Sequence, residues 1–158
     1  MVEIKLELMT SEITLYCRPI HPDAQAVTRG TPYAAGMDIY SPVDCVIEPG
    51  KQVLLGSGLQ IGWAGENAEQ YYVQIAPRSG MCAKMSLTPM AGVIDFDYRG
   101  EVKILMYNYG EHTATIRKGD RVAQFIMKRI EMPAIVLSSA LPEVNSLRKE
   151  GGFGSTGV

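Results

Sequence analysis

Apolar and polar side chains alternate in short runs along this chain, and turn residues cut the runs at close intervals. The runs are "EITLYC" (12–17), "DCVIE" (44–48), "QVLLGSGLQIG" (52–62), "QYYVQIA" (70–76), "EVKILMYNYG" (101–110), "TATIRKGDRVAQFIMKRI" (113–130) and "AIVLSS" (134–139). All are rich in β-branched and aromatic residues, which fit a pleated, half-buried surface. Pro49-Gly50, Tyr109-Gly110 and Lys118-Gly119 separate several of them as turns. No long segment keeps a 3.6-residue apolar stripe, so helix is expected only as one short element in "SGMCAKMSL", just after Arg78. Many short strands at regular spacing predict an all-β, jelly-roll-like barrel or sandwich.

Composition narrows the function classes. The chain has 158 residues, 46% of them apolar and 20% charged, which suits one domain with a full core. Its formal net charge of −2 argues against a broad basic nucleic-acid surface, but leaves room for an anion held by a few local arginines. Cys17, Cys45 and Cys82 are odd in number and widely spaced, so no disulfide framework is implied. His21 and His112 lie far from each other and from any cysteine pair, which gives zinc little support. Charges interrupt the apolar residues of "MVEIKLELMT", and no apolar run is long enough to span a bilayer. These features predict a soluble intracellular protein without membrane or nucleic-acid partners.

Polar specificity beyond the needs of a β core sits in four stretches. In "AAGMDIY", Asp38 follows a turn of small residues. In "APRSGMCAK", Arg78, Ser79 and Gly80 precede the expected helix, where free N–H groups and a guanidinium suit phosphate; turns and caps use the same residues. In "AGVIDFDYRGEV", a hairpin is expected, with strand alternation placing Asp95 and Asp97 on one face and Phe96 and Tyr98 on the other. Two such carboxylates suit a metal or a water; the alternative is a solvated hairpin with an Asp97–Arg99 pair. In "DRVAQFI", Arg121 and Gln124 interrupt an apolar strand and need partners. The chain then ends on "RKEGGFGSTGV", where Phe153 is the one large side chain after Glu150. Such a segment cannot order itself by burial. It reads as a frayed terminus or as a tail that folds over an anionic ligand. Residues 1–147 are taken as one β domain that ends in a short polar linker, and 148–158 as a mobile arm.

In this order, the motifs "AAGMDIYS", "APRSGMCAK", "AGVIDFDYRGEV", "GDRVAQFI" and "RKEGGFGSTG" resemble the five motifs of the trimeric dUTPases, across about Ala34 to Gly157. The resemblance implies a homotrimer with active sites shared between subunits and a C-terminal arm that closes over a neighbour's site. It implies hydrolysis of dUTP to dUMP and pyrophosphate, which limits uracil incorporation into DNA and supplies dUMP for thymidylate synthesis. Asp95 is then the base that activates water for attack on the α-phosphorus. Tyr98 packs against the deoxyribose and excludes a 2′-hydroxyl. Gly92, Val93 and Ile94 line the uracil side, and Arg78, Ser79, Gly80 and Gln124 hold the phosphates. From the arm, Arg148, Gly154, Ser155 and Thr156 reach the outer phosphates while Phe153 covers the base. Asp38 shapes the site. Mg²⁺ is implied as the counter-ion of the triphosphate, held by phosphate oxygens and water, with no protein metal ligand. Lys149 departs from the family pattern, which has glycine at that position. The competing readings are a trimer without catalysis and a dCTP deaminase, which shares the fold but needs a general acid/base glutamate, for which Glu101 lies too near the far end of the expected hairpin.

Overall fold

The computed structural model describes residues 13–144. The expected arm residues Arg148, Lys149, Phe153, Gly154, Ser155 and Thr156 lie outside them. Eleven strands and one helix are found among the described residues. They are β1 (Ile13–Pro19), β2 (Thr28–Arg29), β3 (Met37–Tyr40), β4 (Cys45–Ile47), β5 (Gln52–Gly65), β6 (Tyr71–Ala76), α1 (Ser79–Met85), β7 (Leu87–Pro89), β8 (Val93–Ile94), β9 (Glu101–Asn108), β10 (Ala114–Ile116) and β11 (Arg121–Arg129). The strands form an antiparallel sheet in the order β1-β5-β9-β7, a second in the order β2-β3-β11-β6-β8, and a β4-β10 pair.

The three sheets share one core. Leu55, Ile61, Trp63, Ile104 and Met106 come from the four-stranded sheet, Ile39, Val73, Ile75 and Phe125 from the five-stranded sheet, and Ile47 and Ile116 from the small pair. In β9 the alternation is regular: Val102, Ile104, Met106 and Asn108 are buried and the residues between them are not. Asn108 is a polar residue in that core. It is satisfied, because its Nδ2 donates to the carbonyls of Ile47 and His112 and its Oδ1 accepts from Gly110 N–H. The expected turns hold as well, with Gly50 and Gly119 at φ +67° and +88°, where a side chain would be strained. This is the expected sandwich, with a single helix directly after Arg78.

Three local expectations are corrected. The "AIVLSS" run forms no strand: Ile135, Val136 and Leu137 are strongly exposed, and among the described residues no strand pairs with it. The segment around Asp95 is no hairpin, because β8 pairs with β6 in one sheet whereas β9 pairs with β5 and β7 in the other. Residues 95–100 therefore cross between sheets. Tyr98 N–H donates to Asp95 C=O at 3.2 Å, closing a turn, so strand alternation does not apply there. Phe96 is half-buried while Tyr98 is exposed. The alternative Asp97–Arg99 pair is also replaced, since Arg99 donates to the carbonyls of Phe96 and Tyr98.

Candidate functional site

Two cavities hold the sequence-predicted residues. The first, about 240 Å³, is lined by Gly30, Ala34, Gly36, Asp38, Arg78, Ser79, Arg121 and Gln124. Its floor is set by β11, the central strand of the five-stranded sheet. In a regular strand Arg121 and Gln124, three residues apart, would face opposite ways. The register against β3 shifts between Arg121 and Ala123, a bulge that buries Val122 and Ala123 in succession and leaves Arg121 and Gln124 both out of the core. Gln124 pairs in register with Asp38, and Arg121 with Tyr40.

Asp38 is the hub of this cavity. It is nearly buried, and each oxygen is engaged by a different arginine: Arg78 Nε donates to Oδ1 at 2.6 Å and Arg121 Nη1 to Oδ2 at 3.2 Å. Arg78 Nη1 also donates to the Arg121 carbonyl at 2.9 Å, so the two arginines are held side by side. One carboxylate against two guanidiniums leaves an uncompensated positive charge at the mouth, which favours an anion. Arg78 is the residue before α1, whose start carries no side-chain cap, and Ser79 and Gly80 are exposed beside it. Gln124 Nε2 donates to Pro77 C=O at 2.8 Å, tying β11 to the segment that presents Arg78.

The second cavity, about 190 Å³, is lined by Ile75, Ala91, Gly92, Val93, Ile94, Asp95, Tyr98, Val102 and Lys103. Its wall is built largely on the consecutive stretch Ala91 to Asp95. Ile75 N–H donates to Gly92 C=O at 2.7 Å, and a Cβ at Gly92 would stand 2.5 Å from the Ile75 carbonyl oxygen, so only glycine permits that approach. Asp95 is exposed at the edge. Tyr98 OH donates to Glu101 C=O at 2.9 Å, which fixes the ring. Glu101 turns its own carboxylate to Gly58 N–H at 3.0 Å and does not line the cavity, which leaves a deaminase without its glutamate there.

Arg78, Ser79, Asp38 and Gln124 are thus brought together, as are Gly92, Val93, Ile94, Asp95 and Tyr98. The two groups line different cavities, which share no residue. Gly80 lies just outside the first, in a neighbouring cavity lined also by Arg78 and Arg121. Sequence reasoning noted Arg121 without giving it a role, and its place follows from the bulge. Gly36 was visible only as part of a small-residue turn. Ile75 and Lys103 carried no signal. Among the described residues, no group of three or more His, Cys, Asp or Glu is placed to hold a metal ion, and no helix is long and apolar enough to cross a membrane.

The sequence profile of the dUTPase family matches residues 22–157. The chain is 40% identical over 148 residues to the deoxyuridine 5′-triphosphate nucleotidohydrolase of fowlpox virus, covering 93% of this chain and 98% of the relative. Its fold is similar to that of a Staphylococcus bacteriophage 80alpha dUTPase solved with dUPNHPP (TM-score 0.81, 26% identity, 92% of this chain and 99% of that one). It is also similar to a dUTPase of phage phi11 of S. aureus whose structure shows the coordination of a structural Mg(II) ion (TM-score 0.74, 22% identity, 82% and 99%).

Proposed function

The chain belongs to the dUTPase family, and from that premise we propose that it hydrolyses dUTP to dUMP and pyrophosphate. The observation that carries this reading is that the candidate residues line two cavities of matching chemistry, an arginine-rich one around Asp38 and one edged by Asp95 and Tyr98.

Asp95 orients a water and accepts its proton as the water attacks the α-phosphorus in line with the departing pyrophosphate. Tyr98 lies against the deoxyribose. With its hydroxyl held by the Glu101 carbonyl, the ring cannot swing aside for a 2′-hydroxyl, which selects dUTP over UTP. Main-chain groups around Gly92 and Val93 read the uracil edge, and the tightness of this segment, held to β6 by the Ile75–Gly92 bond, rejects a 5-methyl. Arg78, with Ser79, Gly80 and Gln124, receives the phosphates, and Asp38 holds Arg78 in place. Mg²⁺ held by the phosphate oxygens and water, with no protein ligand, would supply charge neutralisation. Both Asp38 oxygens are committed to arginines, which makes that carboxylate a site-shaping group and a poor direct ligand.

The separation of the cavities supports a site shared between subunits, with the Asp95 side of one protomer facing the Arg78 side of another in a homotrimer. Exposed Met132, Ile135, Val136, Leu137, Leu141 and Val144 add apolar surface for assembly. The arm then closes over a neighbour, Arg148, Gly154, Ser155 and Thr156 on the outer phosphates and Phe153 over the base; residues 1–147 form the β domain and 148–158 the arm. The test is pyrophosphate release from dUTP, UTP, dTTP and dCTP in parallel, with and without Mg²⁺. Release from dUTP alone is expected. Ammonia from dCTP would make the chain a deaminase, and no reaction from a folded oligomer would leave it a scaffold.

A further inference from the structure

The segment that carries Asp95 and Tyr98 crosses from one sheet to the other and belongs to neither ladder between Ile94 and Glu101. One side chain within it, Arg99, folds back on the segment's own main chain. Arg99 Nη1 donates to the Phe96 carbonyl at 2.6 Å and to the Tyr98 carbonyl at 2.8 Å. The same guanidinium lies 5.9 Å from the centre of the Phe96 ring. Phe96 meets the buried Trp63 edge-on, with centroids 5.7 Å apart and planes at 67°, and Trp63 Nε1 donates to Ala68 C=O at 2.9 Å. β5 leaves space for this arrangement at Gly62, where an added Cβ would just touch Arg99 Cζ at 3.9 Å.

We infer that Arg99 is a positioning residue for the reaction: by joining the Phe96 and Tyr98 carbonyls and stacking on a ring anchored to the core, it fixes Asp95 relative to Tyr98. This rests on the dUTPase reading of the site. Both acceptors lie inside the segment that carries the two functional side chains, so the bonds of Arg99 set the shape of that segment. A lysine keeps the charge but loses the planar fork and most of the stacking, and so replaces Arg99 only in part.

The consequence is a loss of selectivity together with rate. If the turn loosens, Asp95 no longer meets the water at the right place, and Tyr98 no longer closes the space for a 2′-hydroxyl. The experiment compares kcat and KM for dUTP and UTP in wild type, Arg99→Ala and Arg99→Lys, alongside thermal unfolding. In Arg99→Ala, kcat for dUTP should fall by about tenfold or more, as small misplacements of reacting groups do. The dUTP/UTP ratio of kcat/KM should fall by a similar factor, with KM for dUTP changed much less, and Arg99→Lys should lie between. A reduced folded fraction lowers both substrates equally, so an unchanged ratio in Arg99→Ala overturns the inference whatever happens to the rate. If the alanine variant does not fold, an unchanged ratio in Arg99→Lys has the same force. Wild-type protein that leaves dUTP intact would overturn the functional reading itself, a failure separate from either of these.

Discussion

The two cavities are built in opposite ways. Around Asp38, side chains from β3, the start of α1 and β11 converge, and the geometry is held by ion pairs between residues 40 and 83 positions apart. Around Asp95, a contiguous stretch of main chain is pressed against β6, and the geometry is held by a missing side chain at Gly92. The first arrangement suits a flexible, multiply charged phosphate chain, where several donors share the load. The second suits a flat base and a sugar, where discrimination depends on what cannot fit. The first is therefore broken by deleting a charge, and the second by adding a carbon.

The largest expected effect is on the reacting group itself. Asp95→Asn keeps the shape of its edge and loses the base, so it should bind a non-hydrolysable dUTP analogue normally while kcat falls on the order of 10³-fold. Pyrophosphate release and equilibrium binding check this, and near-normal turnover would remove Asp95 from its role. Next comes the charge hub. Asp38→Asn removes the negative charge and turns one of the two acceptors into an NH2 donor, so one arginine loses its hydrogen bond and the two guanidiniums repel across the anion site. KM for dUTP should rise about tenfold, and unfolding free energy should fall by about 2 kcal/mol, as for the loss of charge-assisted hydrogen bonds to a nearly buried carboxylate. A variant with unchanged KM would show that the arginines hold their places without Asp38.

A pair of glycines sharpens the contrast at smaller cost. In Gly92→Ala the new Cβ meets the Ile75 carbonyl oxygen at 2.5 Å, and because backbone faces backbone the strand must move. A stability loss of about 2 kcal/mol and weakened rejection of dTTP are expected. In Gly36→Ala the new Cβ runs into Gln124 Oε1 and Cδ, the end of a flexible side chain that can rotate away, and meets Gln124 Cβ at 3.1 Å, which must give by only a few tenths of an ångström. Stability should change by under about 1 kcal/mol, while KM rises as Gln124 leaves Pro77. Equal stability losses in the two variants would contradict the distinction between the cavities.

This contrast also decides how much was legible from sequence. The sandwich, its turns at Gly50 and Gly119 and the helix after Arg78 follow from period-two patterning and turn chemistry, which act locally. The members of the site were legible as motifs, and the conversion of "AGVIDFDYRGEV" from hairpin to crossing was not, because strand pairing depends on which sheet a segment joins. The bulge at Arg121 is likewise a register feature with no residue signature. "AIVLSS" misled for a related reason: its residues suit a strand, but a strand needs a neighbour, and among the described residues none pairs with it. Propensity was read correctly there and pairing was absent.

The smallest expected effect concerns the approach to Arg121. Asp44, ahead of β4, accepts a hydrogen bond from Lys118 N–H at 2.8 Å and pairs with Arg117 Nη1 at 3.3 Å, which latches the β10–β11 turn three residues before Arg121. The main-chain bond from Lys118, assisted by Arg117, holds the Asp44 carboxyl below its ordinary value of 3.8. A depressed folded-state value means that the latch contributes its stability above the ordinary carboxylate range and loses it as pH falls through the lowered value. Asp44→Asn should therefore unfold slightly earlier than wild type at pH 7, with the two curves converging below about pH 4. Because the Asp44 side chain is exposed, the gap should also narrow in high salt. Thermal unfolding of both proteins across pH 3–7, at low and high salt, measures it. A gap that does not narrow at all as pH falls would mean the Asn change acts on the turn by shape, with charge playing no part.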